Sequence, residues 1–596
     1  MHSALLFKRL NEIDSATYRR LAHSAAKGSL QSLGHLKRSL ARTTRTFSDT
    51  DVVHMLPVFY ANLDPSAIPA VADLDTSSTL PSLECAALAL NMLQVVTCLR
   101  GYPEDVSLEL WPRVWQWIDF FHEYREFFNE HRNDVFRAGP IDARVYITWG
   151  LLLMAFREHP PTEHLMSKQP GVDAFCTRAW MLTLDVAEDE RAEVFAKAQF
   201  MRLLNPANPR TLREMRIEAG GTYDDLAVIM VRHITRAIPR QASGASFFAA
   251  IGTVLNEADD RSGLLNAALL ANGVVEALLK AIPLLDKVTH PVIPSMRSSF
   301  LTLIARKLIT PPGYTWISRA LDAGLLNVLV TLPLQGPGNV DTQVVELIQL
   351  ILPAMVYYPI VSRMAQCIQA ADRLIKSSFQ KSRVYPAWLN LKNLYEERLQ
   401  VLKAFKSRQR PSQKACDNPE CDTGIDAKAN FKRCGGCESV YYCSTECQVS
   451  DWKVGGHRTT CQHLRSIRFQ DPLSSRDRSF LRTVMHRDYE LSKGTKTQAS
   501  YYLLFDYTQG RIELKLKLIP PAGGQRDAQG RDWAALWTDY SMRVERSRGT
   551  MALHLMAVKE GTARRLRLFP LRSASKRIRE NAPEESGPGE LVVRIH

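Results

Sequence analysis

Long apolar runs are scarce in this sequence. The longest, Val344 to Val361, is interrupted by Glu346, Gln349, Pro353 and Pro359. A lipid-facing helix would not accept that mixture, so the stretch reads as buried helix. The first eleven residues hold only the short apolar run Ala4 to Phe7, too brief for a secretory signal. Both absences point to an intracellular chain with no membrane segment. Also missing are a Walker-type glycine loop for phosphates and a Gly-x-Ser-x-Gly elbow for a nucleophilic serine. The paired carboxylates Asp224-Asp225 and Asp259-Asp260 stand at expected helix edges, where capping suits them better than proton transfer. No catalytic constellation is expected.

What is present is the composition of a globular protein, 45% hydrophobic and 23% charged. At 596 residues the chain is too long for one core, and about three domains are expected. The net charge of +14 is uneven. Residues 406–596 carry 34 Lys+Arg against 22 Asp+Glu, whereas the first 405 residues carry 42 against 40. A basic C-terminal third could draw in nucleic acid, with Arg564-Arg565-Leu566-Arg567 and Lys576-Arg577-Ile578-Arg579 as candidate phosphate contacts. Those arginines alternate with apolar residues, however, as on an ordinary solvated strand face. No reading helix or aromatic stacking platform accompanies them.

From about residue 79 to 405 apolar residues recur at helical spacing. Leu110–Phe128, Arg144–Phe156, Asp225–Ile238 and Gln343–Lys376 are expected helices. Asn272-Gly273-Val274-Val275-Glu276-Ala277-Leu278 resembles Ala323-Gly324-Leu325-Leu326-Asn327-Val328-Leu329, and Gly171-Val172 with Phe175 is a looser copy. Gly221 lies near the midpoint of the interval from Gly171 to Gly273. A small residue plus glycine before an apolar helix resembles the repeat junction of armadillo-type solenoids, although the period is longer than theirs. Residues 1–78 look irregular, with a basic helix over Thr17–Ala41 and a loop over Leu63–Pro81. Residues 406–415 read as a basic linker.

Beyond residue 466 the texture changes. Arg476–Tyr489 reads as a helix. Tyr501–Tyr507 and the alternating Ile512–Leu518 form an expected hairpin across Thr508-Gln509-Gly510. Trp533, Leu536, Trp537, Tyr540 and Val544 share a helical face. Met551–Ala557 and Leu566–Leu568 read as strands joined at Glu560-Gly561. This implies an α+β domain over 466–572 and a mostly disordered tail over 573–596.

Between those regions seven of the eleven cysteines cluster. Cys85, Cys98, Cys176 and Cys367 lie elsewhere, in apolar helical contexts that suit small buried side chains. The clustered spacing is Cys416-x4-Cys421-x12-Cys434-x2-Cys437-x5-Cys443-x3-Cys447-x9-His457-x3-Cys461. Eight such ligands can close two tetrahedral zinc sites. Cys434-Gly435-Gly436-Cys437 is a knuckle whose glycines let both thiolates face one metal. Cys443/Cys447 and His457/Cys461 are i, i+4 pairs able to grip one ion each. Ser439–Tyr442 suits a short strand.

Tyr442-Cys443-Ser444-Thr445-Glu446-Cys447-Gln448-Val449-Ser450-Asp451-Trp452, followed by His457 and Cys461, resembles the core of a MYND finger. The resemblance covers Cys416 to Cys461. It implies that Cys416, Cys421, Cys443 and Cys447 hold one zinc and Cys434, Cys437, His457 and Cys461 the other, a pairing that spacing alone leaves open. The first knuckle is wider than in the family. So is the gap from Trp452 to His457, with Gly455-Gly456 as a bulge, and His463 stands as a second candidate for the place of His457. With every position filled, the zinc is expected to be structural rather than catalytic. The resemblance further implies a protein-interaction module that takes short, proline-containing peptides. Gln448, Trp452 and Tyr441 would serve there, by strand addition beside Val440–Tyr442 and an aromatic anchor.

Some SET-domain lysine methyltransferases also contain a MYND finger. This chain lacks their Asn-His dipeptide and has no cysteine after Cys461 for their further zinc site. Its Gly-x-Gly triplets, Gly336-Pro337-Gly338 and Gly587-Pro588-Gly589, carry a proline that removes an amide donor. The expectation is a mostly α protein: an armadillo-like helical region, a two-zinc finger and a C-terminal α+β domain, acting as an adaptor. Zinc contributes about 10–16 kcal/mol per site in finger peptides, so Cys443→Ser should unfold the finger. Metal analysis should find fewer than two zinc ions per chain; two retained ions would contradict the assignment.

Overall fold

Glycine and proline mark several of the helix ends in this chain. A computed structural model describes residues 1–40, 48–74, 79–97, 102–130, 141–186, 189–202, 209–237, 263–285, 293–332, 340–407, 415–421, 431–470, 473–491, 501–518, 533–573 and 591–593. They belong to two units, Met1–Val274 and Val275–His596. Asp259-Asp260, the linker 408–414, Lys576–Arg579 and Asn581–Glu590 lie outside the described residues, as does Cys98.

In the first unit the opening residues are more regular than expected. Gly28, with φ +86°, splits the single helix expected over Thr17–Ala41 into Ala16–Ala26 and Leu30–Leu40. Asp49–Val53 and Leu56–Asn62 add two more helices, and the expected loop holds 3-10 turns at Pro65–Ala67 and Val71–Asp73. The helices that follow stack in a regular order. Leu30–Leu40 packs on Leu80–Thr97, which packs on Ala143–Arg157, which packs on Glu190–Arg202. Leu80–Thr97 is long and apolar enough to cross a membrane by composition, and 61% of it is buried. Tyr146 stacks on Phe175 at 5.1 Å in the aromatic core. Cys85 and Cys176 are buried as expected, and burial pushes their thiols up to about 11 and about 12. Asp225 accepts from both the amide and the hydroxyl of Thr222, a helix-capping role.

The second unit continues the pattern. Ile293–Leu308 packs on Asp341–Ile351, then Tyr385–Lys406, then Ser475–Leu491. The long helix expected over Gln343–Lys376 breaks into Asp341–Ile351, a 3-10 stretch Leu352–Val356, and Tyr358–Asp372. Pro353 and Pro359 cause both breaks by removing backbone donors. Gly171, Gly221 and Gly273 of the first unit and Gly324 of the second, spaced 50, 52 and 51 residues apart, all lie between two helices with φ of 85–101°. The left-handed conformation lets the chain turn sharply from one helix into the next, and glycine alone adopts it freely.

Strands β3 (Tyr501–Asp506), β4 (Glu513–Leu518), β5 (Met551–Glu560), β6 (Ala563–Ser573) and β7 (Leu591–Val593) form one sheet in the order β4-β3-β5-β6-β7. β3 and β5 run parallel, and the other neighbours are antiparallel. The helix Trp533–Arg546 lies in the crossover between β4 and β5. β7 falls in the tail expected to be disordered; its Leu-Val-Val segment pairs with Leu571–Ser573 of β6. Alternation places Leu504, Leu555, Ala557 and Leu566 on one sheet face, and Phe505, His554, Met556 and Arg567 on the other.

The face bearing Phe505 and His554 meets Tyr489 of the helix Ser475–Leu491. Beside it, Asp488 accepts from Tyr507 Oη at 2.8 Å and Arg398 at 3.3 Å, with all three buried. The turns also touch the helices. Gly510 lies against Leu352, and Gly561 lies against Ile309 and Pro311. An added Cβ at Gly561 (φ +64°) would collide with the Ile309 carbonyl, whereas Gly221 (φ +101°) faces open space. Gly221→Ala should therefore cost about 1–2 kcal/mol through backbone strain alone. Gly561→Ala should cost clearly more in denaturant unfolding, and equal costs would disprove this docking.

Candidate metal centre

The finger begins at Ala415 and Cys416, both buried. A two-stranded hairpin of β1 (Lys432–Arg433) and β2 (Tyr441–Tyr442) follows, with Lys432 opposite Tyr442. The knuckle Cys434–Cys437 connects these strands. Gly436 is required there because a Cβ would stand 2.8 Å from Cys461 Sγ. The helix Thr445–Lys453 is capped by Ser444, whose Oγ accepts from the Cys447 amide at 3.2 Å. It ends where Gly455 folds onto Asp451, a fit no larger residue would allow. Gly456, at φ +84°, then turns the chain into the helix His457–Gln470.

These elements bring the eight ligand-type residues into two groups of four. Cys416, Cys421, Cys443 and Cys447 form one, and Cys434, Cys437, His457 and Cys461 the other. Within each group the ligand atoms lie within 4.8 Å of one another. Cys421 Sγ is 3.5 Å from Cys443 Sγ, which is 3.6 Å from Cys447 Sγ. Cys434 Sγ is 3.8 Å from Cys461 Sγ, and His457 Nε2 is 3.3 and 3.6 Å from the sulfurs of Cys434 and Cys437. Zn–S bonds of about 2.3 Å in a tetrahedron put sulfurs about 3.8 Å apart, whereas a disulfide needs about 2.05 Å. The donor sets therefore fit two structural zinc ions.

The electrostatics agree. Burial pushes the Cys434 thiol up, but the amides of Cys437 and Gly436 outweigh that and hold it below its ordinary value. Burial raises Cys443 to about 11 and Cys461 to about 12. Metal binding must displace those protons, so the centre weakens as pH falls. All four members of the second group are buried, and the imidazole of His457 is wedged edge-on against Tyr442 and Trp452 at 6.1 and 5.7 Å. The side chain of His463 lies outside the described residues.

The three peptide-binding candidates are placed differently. Trp452 is 40% exposed, and Val449 and Val454, three residues before and two after it, are exposed as well. Gln448 is half-buried on the same helix. Tyr441 is half-buried, and its backbone is already engaged: its amide donates to the Asp417 carboxylate at 2.6 Å, and its carbonyl accepts from the Asp417 amide at 2.8 Å. The outer edge of β2 is thus taken by the finger's own first loop, while Lys432 and Arg433 of β1 are exposed.

Several residues that shape the centre escape a reading by ligand spacing. Asp451 is fully buried, accepting from Tyr442 Oη at 2.7 Å and from Arg543 at 3.1 Å. Arg543 also donates to the Asp417 carbonyl at 3.1 Å. Arg572 donates to the carbonyls of Asn418 and Cys421 at 2.8 and 2.9 Å. The basic strand expected to be a solvated face is instead largely covered. Arg567 and Arg572 are buried, Arg565 pairs with Glu560, and exposed Arg564 reaches Asp506 at 2.9 Å. The sheet has helices on one side and the finger on the other, so alternation here did not mean solvent.

Residues 416–461 match the MYND finger family model. Over 50 residues the chain is 48% identical to ubiquitin carboxyl-terminal hydrolase 19 of Arabidopsis thaliana, covering 8% of this chain and 7% of that protein. Over 43 residues it is 42% identical to a SET and MYND domain-containing protein of Dictyostelium discoideum, covering 7% and 8%. The chain thus spans under a tenth of the length of either relative. No solved structure matches. His457→Ala should leave one zinc per chain and His463→Ala two; the reverse result by metal analysis would hand the ligand role to His463.

Proposed function

Starting from a MYND finger at residues 416–461, we propose that this chain is an intracellular, zinc-stabilised adaptor that binds other proteins. One observation carries the reading. The metal ligands are buried or half-buried, while Trp452 is 40% exposed and its sequence neighbours Val449 and Val454 are exposed too. Exposed aromatic anchors of this kind dominate binding energy where they enter a partner's pocket. A proline-containing peptide suits the indole, since its extended backbone loses little freedom on docking. Gln448 sits one turn from Trp452 and can hydrogen-bond such a backbone. Because Asp417 occupies the outer edge of β2, strand addition falls to β1, at Lys432–Arg433.

The helical segments fit an armadillo-like solenoid as the second binding element. Among the described residues, every third helix packs on the next in two runs, from Leu30–Leu40 to Glu190–Arg202 and from Ile293–Leu308 to Ser475–Leu491, and a left-handed glycine recurs at intervals of 50–52 residues. The reading includes no catalysis. Closed tetrahedral sites leave no coordination position for water, and similarity confined to the finger brings neither relative's named activity with it. Nucleic-acid binding is the alternative, and the pairing of Arg564 and burial of Arg567 weigh against it.

Wild type and Trp452→Ala, both checked for zinc, would serve as baits in a native lysate. Specific partners should drop at least 10-fold with the variant, about 1.4 kcal/mol or more. Unchanged capture would remove the finger from the binding reading and leave the helices.

A further inference from the structure

MYND ligands end at Cys461, yet the finger's core does not. Cys416, Cys434, Cys437, Val440, Tyr442 and Cys461 share one buried cluster with Leu504, Leu555 and Ala557 of the sheet and with Trp537 and Tyr540 of the crossover helix. The polar contacts run the same way. Segment 416–421, which carries the first two ligands, is held from three points in the C-terminal domain. Arg543 bonds the Asp417 carbonyl, Arg572 the Asn418 and Cys421 carbonyls, and Arg546 the Glu420 carboxylate at 2.7 Å. Arg543 simultaneously bonds Asp451, which anchors Tyr442 beside Cys443.

Zinc with four thiolates carries a net charge of −2, and with three thiolates and a neutral imidazole −1. Guanidinium groups stay charged when buried and present a fixed fork of donors. Arg543 and Arg572 are each 3% exposed, so they bring permanent positive charge next to those centres at low dielectric, where it counts most. They also fix the direction of the Cys416–Cys421 loop, as outer-shell groups do for metal ligands elsewhere. A long first knuckle, four residues rather than two, has little internal reason to hold one shape.

We propose that the finger and the C-terminal sheet form one zinc-dependent folding unit, with Arg543 and Arg572 as positioning residues for its metal sites. Coupling of this kind is reciprocal: the sheet tightens the hold on zinc, and zinc holds the sheet. The sheet touches the helices through Gly510, Gly561 and Asp488–Tyr507, so loss of metal reaches them too.

The test uses the zinc-loaded full chain. Zinc is withdrawn with a chelator while release is followed by absorbance and amide exchange by mass spectrometry. Exchange in Met551–Glu560 should speed at least 10-fold once the ions have left, while Ala143–Arg157 of the first unit stays within twofold. Unchanged protection of Met551–Glu560 after complete zinc loss would overturn the proposal. Arg572→Lys, which keeps the charge but not the fork, should release zinc at least threefold faster than wild type; a wild-type rate would remove Arg572 from the proposal. Neither readout involves a partner protein, so the adaptor reading stands or falls separately.

Discussion

A carboxylate with no access to solvent must be paired, and Asp451 has none. Its partners come from two directions: Tyr442 from the hairpin behind it and Arg543 from a helix some ninety residues further on. Stripping a buried charge of its partner costs about 3–5 kcal/mol, so the buried place of the finger helix depends on the crossover helix that supplies Arg543. The order of the second unit follows from this one requirement. The crossover helix covers one sheet face and carries Arg543 to the finger. The opposite face then remains for Tyr489 and the helices. The sheet becomes the middle layer of three, which explains why both its sides are apolar or paired.

That layering also marks the limit of what could be read from the chain alone. Zinc ligands announce themselves because the metal's geometry is local, and few structural roles besides metal binding demand a spacing as short as Cys434-x2-Cys437. Strands β4 to β6 are legible because alternation has a period of two whatever covers the faces, and β3 as the apolar run before a turn. What covers them was not legible. Arg565 and Arg567 alternate with Leu566 in the same way whether the outer face meets water or the neighbouring helices. Asp417, Asp451 and Arg543 are single polar residues far apart in sequence, and only the tertiary fold makes them neighbours.

The helical part shows the opposite balance. Gly273 and Gly324 were visible as repeats by their flanking apolar residues, and Gly171 more faintly. Gly221 lacks those flanks and is found only by its interval and its positive φ. At Gly28, the same backbone device in an unrelated context turned one expected helix into two. Pro353 and Pro359 interrupt an apolar run in the sequence, yet their larger effect is to divide a helix into three pieces. Local breakers were thus easy to locate but hard to interpret before the neighbouring packing was known.

The loop around Asp417 gives the finger a social property. By lending its own amide and carboxylate to Tyr441, it occupies the strand edge along which two hairpins could otherwise zip together. Two copies meeting face to face find no free ladder there to extend. A crowded chain can therefore display its exposed indole continuously without its hairpins polymerising through β2.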